Sequence, residues 1–148
     1  MSSAKMFPGF ETTITVRDCC LCLHVQRAAR ALARRFDDAF RPLKLTSGQF
    51  SLLMSLNRPE PPSIGDVAEV LAMDRTTLTA ALKPLARRRL VAVAADKADR
   101  RLKRISLTKD GRAVLAAAVP VWKKTHREIE AGLPRGGDAL RQDLAALR

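Results

Sequence analysis

Two short amphipathic stretches, joined by a two-residue gap and the second of them basic, constrain this chain more than any other feature. Ile64, Val67, Ala68 and Leu71 fall at i, i+3, i+4 and i+7 behind Ser63, a residue type suited to cap a helix N-terminus. Only Ala72 and Met73 separate this run from Asp74, a second cap, and from a helix expected to reach residue 89. With Arg75 set at zero and each residue turning the helix by about 100°, Thr79, Lys83, Thr76 and Arg87 fall between about 40° and 120°. Leu78, Ala81, Leu82 and Leu85 fall between about 240° and 340° on the same wheel. One face can dock on neighbouring helices; the other offers hydroxyls and cations. Pro84 removes one intrahelical hydrogen bond and predicts a bend, not an end, because Leu85 continues the stripe. So tight a turn between two short helices is the pattern of a helix-turn-helix.

The segment after this pair of helices strengthens that reading. Residues 90–94 form a small apolar run, and Arg104-Ile105-Ser106-Leu107 alternates polar with apolar. The charged stretch 96–103 lies between them, so the segment reads as a β-hairpin with a long basic tip, a wing. Upstream, residues 1–16, with Pro8 and Gly9, read as an irregular arm. A helix is predicted over residues 17–41, its stripe formed by Leu21, Val25, Ala28, Ala29, Leu32, Phe36, Ala39 and Phe40, with Pro42 ending it. Thr46 with Gln49 makes a capping box for a helix that turns Phe50, Leu53, Met54 and Leu56 inward, and the Pro-rich residues 57–62 stop it. Thr108 caps a helix running past Trp122 to about residue 131, and Asp138 caps a last one ending near residue 147. The expected fold class is mainly α with a small β-hairpin wing (α+β).

Charge says what such a surface meets. The chain holds 27 Lys and Arg against 15 Asp and Glu, a net charge of +12. Residues 75–104 alone hold ten Lys or Arg against two Asp. Concentration in one segment argues for a polyanion footprint, nucleic acid before membrane, because no stretch of about eighteen apolar residues is present to span a bilayer. With no signal-peptide core in residues 1–10, a cytoplasmic location is expected. An enzyme is not expected: there is no Gly-rich phosphate loop and no nucleophile–base arrangement, and His24 and His126 are the only histidines. No cofactor and no metal are expected either, since Cys20 and His24, at i and i+4, supply only two zinc ligands. Stripes at both ends of the chain (Val114, Leu115, Val119, Trp122, Ile129, then Leu140, Leu144, Leu147) exceed what a compact winged unit can cover, and they imply a homodimer.

The segment Asp96-Lys97-Ala98-Asp99-Arg100-Arg101, followed by Ile105-Ser106-Leu107-Thr108-Lys109-Asp110-Gly111, resembles the wing signature of the MarR family. Leu45-Thr46 with Gln49, and the leucine-rich residues 82–91, resemble other parts of it. The resemblance implies a winged helix-turn-helix over residues 46–108 and a helical dimerisation region over 17–45 and 109–148. It implies a transcriptional regulator binding a pseudopalindromic double-stranded operator, a repressor released by a small-molecule effector such as an aromatic ligand. The DNA-contacting residues would be Ser63, Arg75, Thr76, Thr79, Lys83, Arg87, Arg100, Arg101 and Lys103, with Arg101 or Arg100 in the minor groove and Asp99 holding the arginine. Cys22, Phe50 and Met54 would line the effector crevice. The family commonly has glycine where this chain has Arg89, so the turn into the wing is expected to differ.

Three readings stay open for Cys19, Cys20 and Cys22: interface packing, a thiol sensor and a metal site. Cys22 falls where the organic-peroxide-sensing branch of the family keeps its reactive cysteine, but that branch holds its thiolate with tyrosines and this chain has none. An effector-independent architectural DNA binder is the rival from another class.

Overall fold

The computed structural model describes residues 7–148. Among these, helices α1 (Phe10–Cys19), α2 (Leu21–Phe40), α3 (Ser47–Ser55), α4 (Ile64–Val70) and α5 (Arg75–Arg87) precede a hairpin of β1 (Val91–Ala95) and β2 (Lys103–Leu107). Helices α6 (Lys109–Ala131) and α7 (Gly136–Ala145) follow it. The fold is mainly α with a two-stranded antiparallel wing.

The caps explain where the central helices begin. Thr46 and Gln49 close a capping box on α3, and Ser63 with Asp66 closes another on α4. Asp74 accepts the Thr77 amide at 2.8 Å to start α5, and Thr108 accepts the Gly111 amide at 3.0 Å to start α6. Each cap satisfies amides that the first helical turn cannot.

The turn between α4 and α5 is a Schellman motif: the Ala72 amide bonds the Glu69 carbonyl and the Met73 amide bonds the Ala68 carbonyl. The end of α5 repeats it, Arg89 bonding Ala86 and Leu90 bonding Leu85. Both motifs need a left-handed residue at their centre, and Ala72 (φ 51°) and Arg89 (φ 57°) take that place without being glycine.

Val91 pairs with Leu107 and Ala95 with Lys103, while Ser63 bridges Arg104 on the other edge of β2 and so ties α4 to the wing. Leu78, Leu82 and Leu85 of α5 are buried against a core that includes Phe40, Leu53, Val67, Ile105 and Leu115. Helix α5 continues through Pro84, as its stripe demands.

Three boundaries differ from the sequence reading. Residues 10–16, read as part of an irregular arm, are helical in α1, and residues 1–6 of that arm lie outside the described residues. The helix expected over residues 17–41 is two helices, because Cys20 adopts extended backbone (ψ 108°) between them. The last helix begins at Gly136, not after Asp138, and Asp138 sits in its first turn.

Helices α1 and α7 bury no residue, and Leu21, Val25, Leu32, Leu140 and Leu144 remain exposed. A single chain leaves its terminal apolar stripes uncovered.

Candidate nucleic-acid interface

Helix α5 presents the face that its periodicity required. Arg75, Thr76, Thr79, Lys83 and Arg87 are all exposed or half-buried, while Leu78, Leu82 and Leu85 hold the helix to the core. The Thr79 hydroxyl donates to the Arg75 carbonyl at 2.8 Å, which fixes its rotamer and leaves its lone pairs and methyl outward.

The wing is organised around a residue that sequence reasoning missed. Asp96 accepts the amides of Ala98 (3.0 Å) and Asp99 (2.9 Å) on one carboxylate oxygen and the Arg104 Nε (2.9 Å) on the other. The Asp99 amide, then the Arg104 guanidinium, hold the Asp96 carboxyl below its usual range. The signal was present: an aspartate two and three residues ahead of a polar tip is an Asx-turn pattern. Asp99 acts differently from expectation. Its carboxylate accepts the backbone amide of Arg101 at 3.0 Å and forms no ion pair with the Arg100 or Arg101 side chain among the described residues, so it shapes the tip and does not clamp a guanidinium.

Helix and wing meet in a cleft of about 230 Å3 lined by Ser63, Ile64, Gly65, Arg75, Thr79, Arg101, Leu102 and Lys103. Ser63, Arg75, Thr79, Arg101 and Lys103 are thus brought together. Thr76, Lys83 and Arg87 lie elsewhere on α5, and Arg100 and Asp99 lie on the wing tip outside the cleft. Gly65 is the second missed residue. A Cβ there would come within 3.1 Å of Arg75 Nη2, so the bare backbone gives the guanidinium room to lie across α4. The cleft combines three cations with hydroxyls and suits phosphate oxygens, and the exposed length of α5 is narrow enough for a major groove.

A second hollow, of about 630 Å3, lies between α3, α4 and α6, lined by Phe50, Ser51, Met54, Ser55, Val70, Leu71 and Trp122. Phe50 and Met54 were expected there; Trp122, stacked on Phe50 with centroids 6.4 Å apart, was not. Cys22 is not among its lining residues. It stands exposed on α2, its sulfur accepting the Gln26 side-chain amide at 3.3 Å. Cys19 is exposed too and Cys20 half-buried, so any fuller burial of these thiols must come from a second chain. His24 Nδ1 lies 2.8 Å from the Cys20 carbonyl, and among the described residues no group of three or more potential ligands could hold a metal ion. Among the same residues, no helix is long and apolar enough to cross a membrane.

Comparison with known proteins places this geometry. The MarR family model matches residues 45–103, from the turn before α3 into the wing. The transcriptional regulator MosR of M. tuberculosis, solved in complex with DNA, is 39% identical; the match covers 86% of this chain and 92% of that one, with a TM-score of 0.80. BpsR of Bordetella bronchiseptica, whose DNA binding is regulated by 6-hydroxynicotinic acid, is 31% identical over 86% of this chain and 89% of its own, with a TM-score of 0.71. The transcriptional repressor NicR of Pseudomonas putida is 35% identical over 97 residues, 66% of this chain but only 61% of NicR. The winged helix-turn-helix built from α3 to β2, and the relatives that share it, make this chain a member of the MarR family of transcriptional regulators.

Proposed function

We propose that this protein is a homodimeric, sequence-specific DNA-binding repressor. Each protomer lays α5 in a major groove and sets its wing in the flanking minor groove. The observation that carries the reading is the cleft in which Arg75 and Thr79 of α5 meet Arg101 and Lys103 of the wing. A helix face alone is often only solvated; a helix and a hairpin that converge on one cationic cleft have a shared partner. MosR and BpsR, both similar over nearly their whole length, are DNA-binding regulators, and that supports the reading. In this arrangement Arg75, Thr76, Thr79 and Lys83 meet base edges and phosphates, Arg87 and Lys103 meet the backbone, and Arg101, flanked by Arg100, enters the minor groove. The terminal helices form the dimer, residues 46–108 read the DNA, and the cytoplasm is where such a protein works.

Release by a small planar aromatic ligand completes the proposal. The hollow between α3, α4 and α6 is floored by Phe50 and Trp122, with Met54, Val70 and Leu71 around them and two serine hydroxyls at its edge. It adjoins both the helix-turn-helix and the long α6. A ligand that fits it better when the two α5 helices are wrongly spaced for DNA shifts the population away from binding, by no more than its differential affinity. The test is fluorescence anisotropy on DNA from upstream of the protein's own gene, with hydroxylated aromatic acids and neutral phenols as ligands. Release by one of them, lost in a Trp122→Ala variant that still binds DNA, supports the mechanism. Tight binding indifferent to every ligand leaves a constitutive binder.

One observation favours a second reading, a thiol sensor. Gln26, one turn after Cys22, donates to its exposed sulfur and so supplies the hydrogen bond that tyrosine gives in peroxide-sensing relatives. Release by an organic hydroperoxide, abolished in Cys22→Ser, supports it; release that persists in that variant contradicts it.

A further inference from the structure

The proposed interface leaves one basic stretch of the chain unused. Residues 19–36 contain four arginines, Arg27, Arg30, Arg34 and Arg35, with no acidic residue among them, and α2 meets its first carboxylate only at Asp37. On the wheel of α2, with Leu21 at zero and about 100° per residue, the apolar stripe centres near about 40° and Arg27, Arg30 and Arg34 fall between about 180° and 240°. The arginines therefore lie on the opposite side of the helix from its apolar stripe.

The three arginines share one groove. Arg27, Arg30 and Arg34, with His24, Ala28 and Ala31, line an open groove of about 630 Å3. Four other arginines near the two ends of the chain are paired, Arg17 with Asp18, Arg41 with Asp38, Arg135 with Asp143, and Arg141 with Glu130 and Asp138, while among the described residues Arg35, Arg112 and Arg127 are not. No ion pair involves Arg27, Arg30 or Arg34 among the described residues. Three guanidiniums held together on a rigid helix repel one another, and a polyanion relieves that repulsion.

Spacing favours nucleic acid as the occupant. At about 1.5 Å rise per residue, Arg27 and Arg34 are about 10 Å apart along the axis, with Arg30 between them. One strand of duplex DNA presents a phosphate about every 3.4 Å of its axis, so the three arginines span about three phosphates. The groove has no aromatic side chain other than His24 to stack a base and no hydroxyl to read one.

We infer that the basic face of α2 is a second, sequence-independent DNA-binding site that grips duplex backbone outside the operator. The inference rests on the operator-binding reading above. Because α2 packs chiefly on α3 and α6, and its arginines line a groove separate from the cleft between α5 and the wing, the DNA it holds is a different segment from the one α5 reads: the operator's own flank, bent back, or a second duplex. Both have the same backbone chemistry.

The test compares wild type with an Arg27→Gln, Arg30→Gln, Arg34→Gln triple variant on two DNAs. One is a duplex just covering the selected operator, the other the same operator with about 300 flanking base pairs on each side, about two persistence lengths, so that the flank can bend back. An Arg112→Gln, Lys123→Gln, Lys124→Gln variant controls for net charge. The expected result is a salt slope for wild type steeper on the long DNA than on the short. The triple variant removes that difference, up to about 2.7 in the slope for each protomer that grips a flank, at about 0.9 per phosphate, and the short duplex shows no such change, nor does the charge control on either DNA. Capture of a second labelled duplex on operator-coated beads, lost in the triple variant, assigns the segment to another molecule; its absence beside the slope difference assigns it to the flank. Equal wild-type slopes on both DNAs, without second-duplex capture, overturn the inference and leave the operator reading intact. So does a triple variant that weakens both DNAs alike. Failure of wild type to bind either DNA overturns both readings together.

Discussion

Two glycines illustrate how single residues divide between folding and function. A Cβ at Gly111 would sit 2.0 Å from the Leu90 carbonyl oxygen, where the first turn of α6 crosses the strand entry and Thr108 bonds the Arg89 carbonyl. Backbone cannot swing aside, so Gly111→Ala is expected to cost about 1–3 kcal/mol of stability by overpacking, seen as a lowered urea midpoint. At Gly65 the added Cβ crowds the end of the Arg75 side chain, at 3.1 Å, and meets the Ser63 hydroxyl at an ordinary 3.7 Å. Gly65→Ala is therefore expected to leave stability within about 0.5 kcal/mol of wild type while weakening operator binding through a displaced Arg75. Arg89 behaves in the opposite sense. Its left-handed backbone (φ 57°) closes the Schellman motif of α5, and glycine removes the Cβ strain at some cost in unfolded-chain entropy. Arg89→Gly is expected to gain about 0.5–1 kcal/mol, a melting-temperature rise of about 1–4 °C by calorimetry.

Among elements, the wing depends on one carboxylate. Asp96→Ala releases the Ala98 and Asp99 amides and the Arg104 guanidinium together, so the tip is expected to lose hydrogen-exchange protection and the operator affinity to fall while the helices stay intact. The same bonds set its pH dependence. A carboxyl depressed in the fold contributes its full stabilisation above its unfolded value of about 3.9 and loses it as pH falls through the lower folded value. The wing is thus expected to keep its shape through neutral pH, and a carbon-13 titration should place Asp96 below a peptide reference. The helices around this hairpin were legible because each announces itself: Thr46, Ser63, Asp74 and Thr108 cap their own N-termini with side-chain oxygens. The break at Cys20 was not legible, since neither proline nor glycine marks it and the apolar spacing runs on through Leu21 and Val25. The start of α7 escaped for a related reason: Arg135 precedes it without a side-chain cap, and Asp138 has the chemistry of a cap one turn too late. In the binding surface, periodicity revealed which face of α5 is cationic. It could not show that Arg75 crosses Gly65, which depends on a contact between elements, and Asp96 was legible only as a local turn pattern, not as the partner of Arg104 across the hairpin.

At the scale of the whole molecule, the uncovered stripes are the main statement. Helix α7 leaves Leu140 and Leu144 outward and α2 leaves Leu21 and Val25, although α2 and α6 also give Phe40 and Leu115 to the core shared with α3 to β2. Burying such rows in a second copy is worth about 25 cal/mol per Å2 of apolar surface. A Leu140→Lys, Leu144→Lys double variant is expected to sediment toward the monomer and to lose operator affinity while keeping its helical circular dichroism. A variant that stays dimeric would move the interface to other residues. Dimerisation also fixes what the DNA must look like, because two copies of α5 related by a two-fold axis can satisfy only a site with the same symmetry. Selection of bound duplexes from a random pool tests this most directly, with the enriched sequences then titrated against wild type and against Arg75→Ala. The expected outcome is a pseudopalindrome whose half-sites lie about 34 Å, one helical turn, apart, and an Arg75→Ala variant with a reduced ratio of selected to random affinity. Enrichment of no common sequence, or of one without two-fold symmetry, would contradict the account of a dimer that reads DNA through α5 and the wing.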